Sequence, residues 1–418
     1  MNKALQDYLA RAIRVGTLEV VDAAGDIRRF GNGTGETIRM RFNRPEAEAA
    51  VIRDPDLKLG EEFANGGYVI EQGSIRDFLY LLFRNYPGVV PPLQTVAVEL
   101  WRRLTRRFHQ LNTPGRARKN IHAHYDLDGR LYSLFLDADL QYSCAYWEDG
   151  VTSLDDAQLA KKRHLAAKLR LEPGMRVLDI GSGWGGLGLY LAEHCGVDVT
   201  GVTLSDEQFA VSNRRAEERG LADKARFLLQ DYRKIQGPFD RIVSVGMFEH
   251  VGVGYYRSYF NVCRHLLAED GVMVVHSIGR AGGPGATSAW IDRYIFPGGY
   301  IPAVSEVIPA IEKSQLHITD MEILRLHYAK TLKAWRERFL AHREEAAALY
   351  DERFCRIWEF YLAASEVSFE AGFMMNFQIQ MTRNQDALPL TRDYMHEAEA
   401  KLRETDDHTS VPLKLAGE

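Results

Sequence analysis

The sequence predicts an α/β protein, with a Rossmann-like, mostly parallel sheet preceded by a smaller α+β N-terminal domain. Three observations lead there. Short apolar runs alternate with helical patterns from residue 153 to residue 278, as doubly wound sheets require. A glycine-rich turn, VLDIGSGWGG (177–186), stands where the first of those strands ends. Ahead of them, residues 17–41 alternate apolar and polar side chains.

In chain order, that first alternation is broken by Gly25-Asp26 and Gly31-Asn32-Gly33 and predicts a small antiparallel meander. Helical patterns follow over 74–84 and, after Pro91-Pro92, over 95–110. The stretch 112–119 has no apolar run and reads as a linker. The expected division is therefore 1–114, a smaller N-terminal domain, 115–402, a larger domain that carries the glycine turn, and 403–418, a mobile polar tail. Ser153 with Asp156 opens a helix through Leu169 as a capping box. Strand 175–180, helix 186–195, strand 197–203, a helix opened by Ser205 with Gln208, and strands 225–230, 239–246 and 271–278 complete the alternation. A glycine-rich insertion after Gly279 interrupts it, and FQIQM (377–381) predicts a last, antiparallel strand.

Composition narrows the function. With 418 residues, 46% hydrophobic and a net charge of -5, the chain is expected to fold fully and has no global affinity for nucleic acid. Its four cysteines, Cys144, Cys195, Cys263 and Cys355, form no CxxC pair and read as reduced thiols, so no metal site is expected. No apolar stretch is long enough to span a bilayer, and Gln6, Asp7 and Arg11 interrupt the start where a signal peptide is apolar. A cytoplasmic protein is expected.

Around the glycine turn, Gly181 and Gly183 let the backbone approach a ligand, and the spacing is GxGxG with Asp179 before it. A dinucleotide site uses GxGxxG to seat a pyrophosphate. The form here resembles motif I of class I S-adenosylmethionine methyltransferases, whose cofactor carries an amino-acid tail. Thr203, Leu204 and Gln208 follow the second strand as candidates for cofactor contact, while Asp206 and Glu207 start a helix. Asp231 and Tyr232 follow the third strand and suit hydrogen bonding and stacking at adenine, or else a solvated helix start.

HYDL (124–127), QYSCAYW (141–147), DIGSGWGG (179–186), TLSDEQ (203–208), MFEHVG (247–252), HSIG (276–279), YIFPGGYIP (294–302) and YAKTLKAW (328–335) occur in this order. Together they resemble the cyclopropane fatty acid synthase family, which includes the mycolic acid cyclopropane synthases. The resemblance implies attack of an alkene on the sulfonium methyl of S-adenosylmethionine, then deprotonation and ring closure. It also implies a bound bicarbonate ion as the base, held by Cys144, Glu249, His276 and Tyr328, and cofactor contacts at Tyr142 and Ser143. Glu249 and His276 are expected just past two successive strand ends, with coupled titration, because an anionic Glu249 opposes bicarbonate. Singly, each of these residues reads as structural. Two departures are noted: Ser365 stands where many relatives have cysteine, and DLDGR (126–130) replaces a common glycine-asparagine pattern.

For the substrate, Val96, Leu100, Trp101, Leu104 and Phe108 fall on one helical face, with Arg102, Arg103, Arg106 and Arg107 mostly away from it. A basic amphipathic helix suits anionic phospholipid, although the same pattern serves a helix packed on a domain. The expected partners are an unsaturated phospholipid at the inner face of the membrane, contacted peripherally, and a second copy of the chain. Tyr294, Phe296 and Tyr300 are expected to wall an acyl channel or to be core. The alternatives are an enzyme giving methylene- or methyl-branched chains, and a non-catalytic cofactor or lipid sensor.

Overall fold

A computed structural model describes residues 1–86 and 129–406, and the chain divides into two compact units. The described residues of the first are 1–86, Gly285–Pro297 and Leu332–Met374. Its sheet contains β1 (Thr17–Val21), β2 (Ile27–Gly31), β3 (Thr37–Phe42) and β4 (Tyr68–Gln72) in the order β2-β1-β3-β4. The expected meander is corrected here. β1 and β2 form an antiparallel pair with Thr17 opposite Gly31, but β3 lies parallel to β1, with Thr17 opposite Thr37. β1 is buried along nearly its whole length, whereas β2 exposes most of its IRRFG residues. The apolar strand therefore takes the interior and the arginine-bearing one the edge.

Helix Ile75–Asn85 falls on the expected 74–84 pattern and starts at a capping box, Ser74 with Asp77. In helix Glu352–Glu370 of the same unit, Glu366 is buried and held by Arg76 at 3.1 Å and Arg336 at 2.6 Å. Two guanidiniums on one carboxylate compensate its desolvation.

The described residues of the second unit are 129–284, Gly298–Thr331 and 375–406. Here β5 (Arg176–Ile180), β6 (Asp198–Thr203), β7 (Ala225–Leu229), β8 (Phe239–Val245), β9 (Leu267–Arg280), β10 (His317–Ile323) and β11 (Met374–Thr382) form one sheet, ordered β10-β11-β9-β8-β5-β6-β7. The five strands predicted from apolar runs pair in parallel, and β11 is antiparallel to β10. β10 was not foreseen: HITDMEI buries only Asp320, so it shows no apolar face.

Both sheet faces are covered. Leu178 and Ile180 of β5 join a core with Tyr259, Phe260, Ile311 and Phe377, and Val177 joins another with Leu165, Leu189, Val199 and Val274. Burying each aliphatic side chain contributes roughly 1.5–3 kcal/mol. Helices begin at Ser153 and Ser205, whose hydroxyls accept from the Asp156 and Gln208 amides. The last helix, Asp393–Thr405, runs past residue 403, and Asp406 beyond it is buried against Tyr190 (2.8 Å) and Arg163. The order therefore extends into the first residues of the expected tail.

Candidate active site

The glycine loop leaves the carboxyl end of β5, where open α/β sheets bind ligands. The Gly181 and Ser182 amides both donate to Val202 O at 3.0 Å, which anchors the loop to β6. Gly181 has φ +85°, and a Cβ there would lie 2.8 Å from Met247 Cβ. Asp179 is buried, and its Oδ2 has no hydrogen-bond partner among the described residues; the same holds for Ser182 Oγ. Burial pushes the Asp179 carboxyl up to about 7, against the pull of Lys161. Buried polar atoms left this way call for a polar ligand, and the amine and carboxylate of an amino-acid tail fit them.

The helix after the loop, Gly186–Cys195, has its first turn covered by protein. A side chain at Gly186 would overlap Asp139 Oδ2 and Gln141 Nε2. Asp139 is held there by Lys162 at 2.8 Å and by Arg215. A carboxylate paired with two cations therefore packs against the side of the first residue of this helix.

Past β6, Thr203 and Gln208 are buried, and the Thr203 hydroxyl donates to Gln208 Oε1 at 2.8 Å, with Leu204 half-buried between them. Past β7, Asp231 caps a 3-10 turn, accepting from the Arg233 amide at 3.0 Å and from Arg233 Nε at 2.8 Å. The helix-start alternative is thus realised at Asp231. Tyr232 is edge-on to Tyr259, with centroids 5.5 Å apart. Tyr142 sits edge-on to Tyr132 at 5.4 Å, beside Phe135.

Cys144 is buried, and burial pushes its thiol far above the ordinary range, so it is a neutral donor and not a nucleophile. Glu249 occupies a 3-10 turn past β8. Its Oε1 accepts from the Ile278 amide at 2.7 Å, while Oε2 is buried without a partner among the described residues. Burial raises the Glu249 carboxyl to about 7. His276 lies inside β9, opposite Val245, and not past its end, because β9 runs on to Arg280.

The two ring nitrogens of His276 meet the amides of Asn376 (3.3 Å) and Gln378 (3.1 Å) of β11. Burial, helped by the Lys161 charge, lowers His276 to about 3. Both amides face the ring with their nitrogens, and a neutral ring accepts at one nitrogen only. Burial is the first cause of the shift at both Glu249 and His276.

Tyr328 is buried in the first turn of helix His327–Ala341. That turn is tied to the Cys144 segment. Thr331 Oγ1 accepts from the Ala145 amide and from Trp147 Nε1, both at 3.1 Å, and His327 Nδ1 accepts from the Trp147 amide at 2.8 Å. On the opposite side, a Cβ at Gly246 would lie 3.9 Å from Ser143 Cβ, and the Gly246 amide donates to His276 O at 2.9 Å. The structure thus brings Ser143, Cys144, Gly181, Met247 and His276 to one end of β5, β8 and β9.

Sequence reasoning missed Asn376, Gln378 and Lys161. The two amides had a signal: Asn376, Gln378 and Gln380 alternate with Phe377, Ile379 and Met381, and all six are buried. Amides at every second position of an apolar strand have to find partners inside. Ser365 is half-buried in helix Glu352–Glu370 of the first unit. Tyr294 and Phe296 belong to the first unit and Tyr300 to the second. The HYDL string, Trp101, Arg102, Arg103, Arg106 and Arg107 lie outside the described residues.

The mostly parallel sheet and the strand-end glycine loop are those of a class I S-adenosylmethionine-dependent methyltransferase fold. Residues 112–379 match the family model of mycolic acid cyclopropane synthetase. The chain is 39% identical over 344 residues to cyclopropane-fatty-acyl-phospholipid synthase of Escherichia coli (strain K12), covering 82% of this chain and 87% of that one. It therefore belongs to the mycolic acid cyclopropane synthetase family. It is also 41% identical to a probable fatty acid methyltransferase of Pseudomonas putida, over 70% of this chain and 76% of that one. Among solved structures, mycolic acid cyclopropane synthase CmaA1 complexed with SAH and CTAB superposes with a TM-score of 0.60, at 34% identity, covering 63% of this chain and 97% of that one.

Proposed function

We propose that this protein transfers a methylene unit from S-adenosylmethionine to the cis double bond of an unsaturated phospholipid acyl chain, forming a cyclopropane ring. The buried Glu249 carboxyl, with one oxygen unpartnered among the described residues, carries this reading most directly, because ring closure requires a proton-accepting group in a dry pocket. The cofactor supplies an electrophilic methyl. Asp179, Gly181, Gly183, Tyr142, Ser143, Thr203, Leu204, Gln208, Asp231 and Tyr232 hold and orient it. Cys144, Glu249, neutral His276 and Tyr328 cradle a bicarbonate ion, whose chemistry is removal of a proton from the transferred methyl.

Labelled S-adenosylmethionine incubated with unsaturated phospholipid vesicles is expected to give lipid heavier by CH2 with cyclopropane proton signals. A CH2 gain without those signals would establish the second reading, a methylene-branched product, which the similarity to a probable fatty acid methyltransferase favours. No incorporation by an enzyme that binds cofactor and lipid would establish the sensor reading.

Bicarbonate dependence carries a sign. Below about pH 7 the neutral Glu249 carboxyl donates to the anion; above it, the carboxylate repels the anion. The bicarbonate concentration for half-maximal activity is therefore expected to rise as pH increases through 7. A constant value across pH 6–8 would detach Glu249 from the ion.

Among the described residues no helix is long and apolar enough to cross a membrane. We assign membrane contact to the arginine-rich sequence 95–119, with seven cations between 102 and 119 and no acidic residue. Replacing Arg102, Arg103, Arg106 and Arg107 by alanine is expected to weaken binding to anionic vesicles by about 1 kcal/mol per cation, with less loss at high salt. Unchanged co-sedimentation would remove this assignment. A homodimer completes the proposal, and a monomer by light scattering would remove that part.

A further inference from the structure

Helix Leu154–Leu169 carries five polar side chains that are buried: Gln158, Lys161, Arg163, His164 and Lys168. Two of them converge on the QYSC segment. Gln158 Nε2 donates to Gln141 O at 3.1 Å and Ser143 O at 3.0 Å, which fixes the backbone. One turn on, the Lys161 ammonium donates to Gln141 Oε1 at 2.7 Å and Ser143 Oγ at 2.8 Å, which fixes the side chains.

Lys161 is fully buried. Burial pulls its ammonium down to about 8, while Asp137 and Asp139 hold it up, so it is charged at neutral pH. The charge is felt on both sides of the candidate site: it opposes the rise of the Asp179 carboxyl and helps keep His276 neutral.

An ammonium has donors only, so Ser143 Oγ accepts from Lys161 and must send its own proton elsewhere. A buried cation also favours the carboxylate end of an amino-acid tail over its ammonium end.

We infer that Lys161 is a positioning residue, which locks Ser143 as a hydrogen-bond donor toward the cofactor carboxylate and sets the 141–144 segment beside the glycine loop. This rests on reading Ser143 as a cofactor contact. Asp179, buried with an oxygen unpartnered among the described residues, would then be matched with the amine.

The test uses full-length enzyme with K161M, S143A, the double variant and K161Q, reading SAH affinity by calorimetry and kcat and KM for S-adenosylmethionine on unsaturated phospholipid vesicles. K161M is expected to weaken SAH binding at least tenfold and to raise KM more than it lowers kcat. K161Q keeps a donor and is expected to recover part of the loss. The double variant is expected to bind SAH within threefold of the weaker single variant, because both changes remove one arrangement. SAH affinity of K161M within twofold of wild type, or losses that multiply in the double variant, would overturn the inference. Should K161M not fold by circular dichroism, S143A decides: unchanged SAH affinity overturns it, and a tenfold loss with partial loss in K161Q upholds it. Wild-type enzyme that does not bind SAH would remove the cofactor reading itself, independently of Lys161.

Discussion

Replacing Glu249 by glutamine is expected to lower lipid turnover by about 10²–10⁴-fold, the usual range for removing a proton-transfer group, while leaving SAH affinity near the wild-type value. The substitution keeps the shape of the side chain, the acceptor for the Ile278 amide and a donor in place of the unpartnered Oε2. What it removes is the exchangeable proton. Burial places the Glu249 carboxyl near 7, where it passes a proton in either direction at neutral pH and can carry away the one released when the ring closes. His276 cannot do this, because burial holds it near 3 with both ring nitrogens against amides. E249Q is also expected to flatten the pH dependence of the bicarbonate requirement. Full turnover by a variant that still binds SAH would show that the carboxyl has no chemical part.

The second large effect is expected at the glycine loop. Gly181→Val places a branched side chain at φ +85° and directs its Cβ into Met247. The backbone strain costs about 1–3 kcal/mol, and the overpacking roughly as much again. Met247 stands two residues before Glu249, so the clash pushes the glycine loop and the Glu249 turn apart. SAH affinity is expected to fall by more than tenfold, with a lower thermal midpoint.

Gly183→Ala is the informative contrast, because a Cβ at Gly183 meets no protein atom within 4 Å. Its stability is expected to change little, so a loss of SAH affinity there reports contact with the ligand. Calorimetric SAH binding unchanged in both variants would mean that this loop does not hold the cofactor.

Much of the second unit was legible because its signals are local. A parallel sheet covered on both faces needs uninterrupted apolar strands, and MRVLDI, FDRIVSVG and GVMVVHSI are such runs. Ser153 and Ser205 announce helix starts by what their own hydroxyls can reach three residues on. The glycine loop is legible for the same reason, since left-handed backbone at Gly181, Gly183 and Gly185 is written in residue type.

β10 escaped because an edge strand that buries one aspartate has no apolar period. The first unit's parallel β1–β3 pair escaped because alternation reports faces and says nothing of neighbours. The helix Leu154–Leu169 was legible as a capped helix but not as the polar spine of the site, since Lys161 and Gln158 look like solvated residues until their partners arrive.

By itself, then, the sequence determined the strand and helix alternation, the glycine loop and the ionisable residue types along it, all of which depend on neighbours within a few positions. Only the tertiary structure decided their states. His276 is neutral inside a strand because Asn376 and Gln378, a hundred residues away, close over it. The Glu249 carboxyl is raised to about 7 because the fold around it excludes water. Lys161 keeps its charge in the interior because carboxylates from a separate segment face it. Burial and pairing set these charges, and both arise only when distant parts of the chain meet.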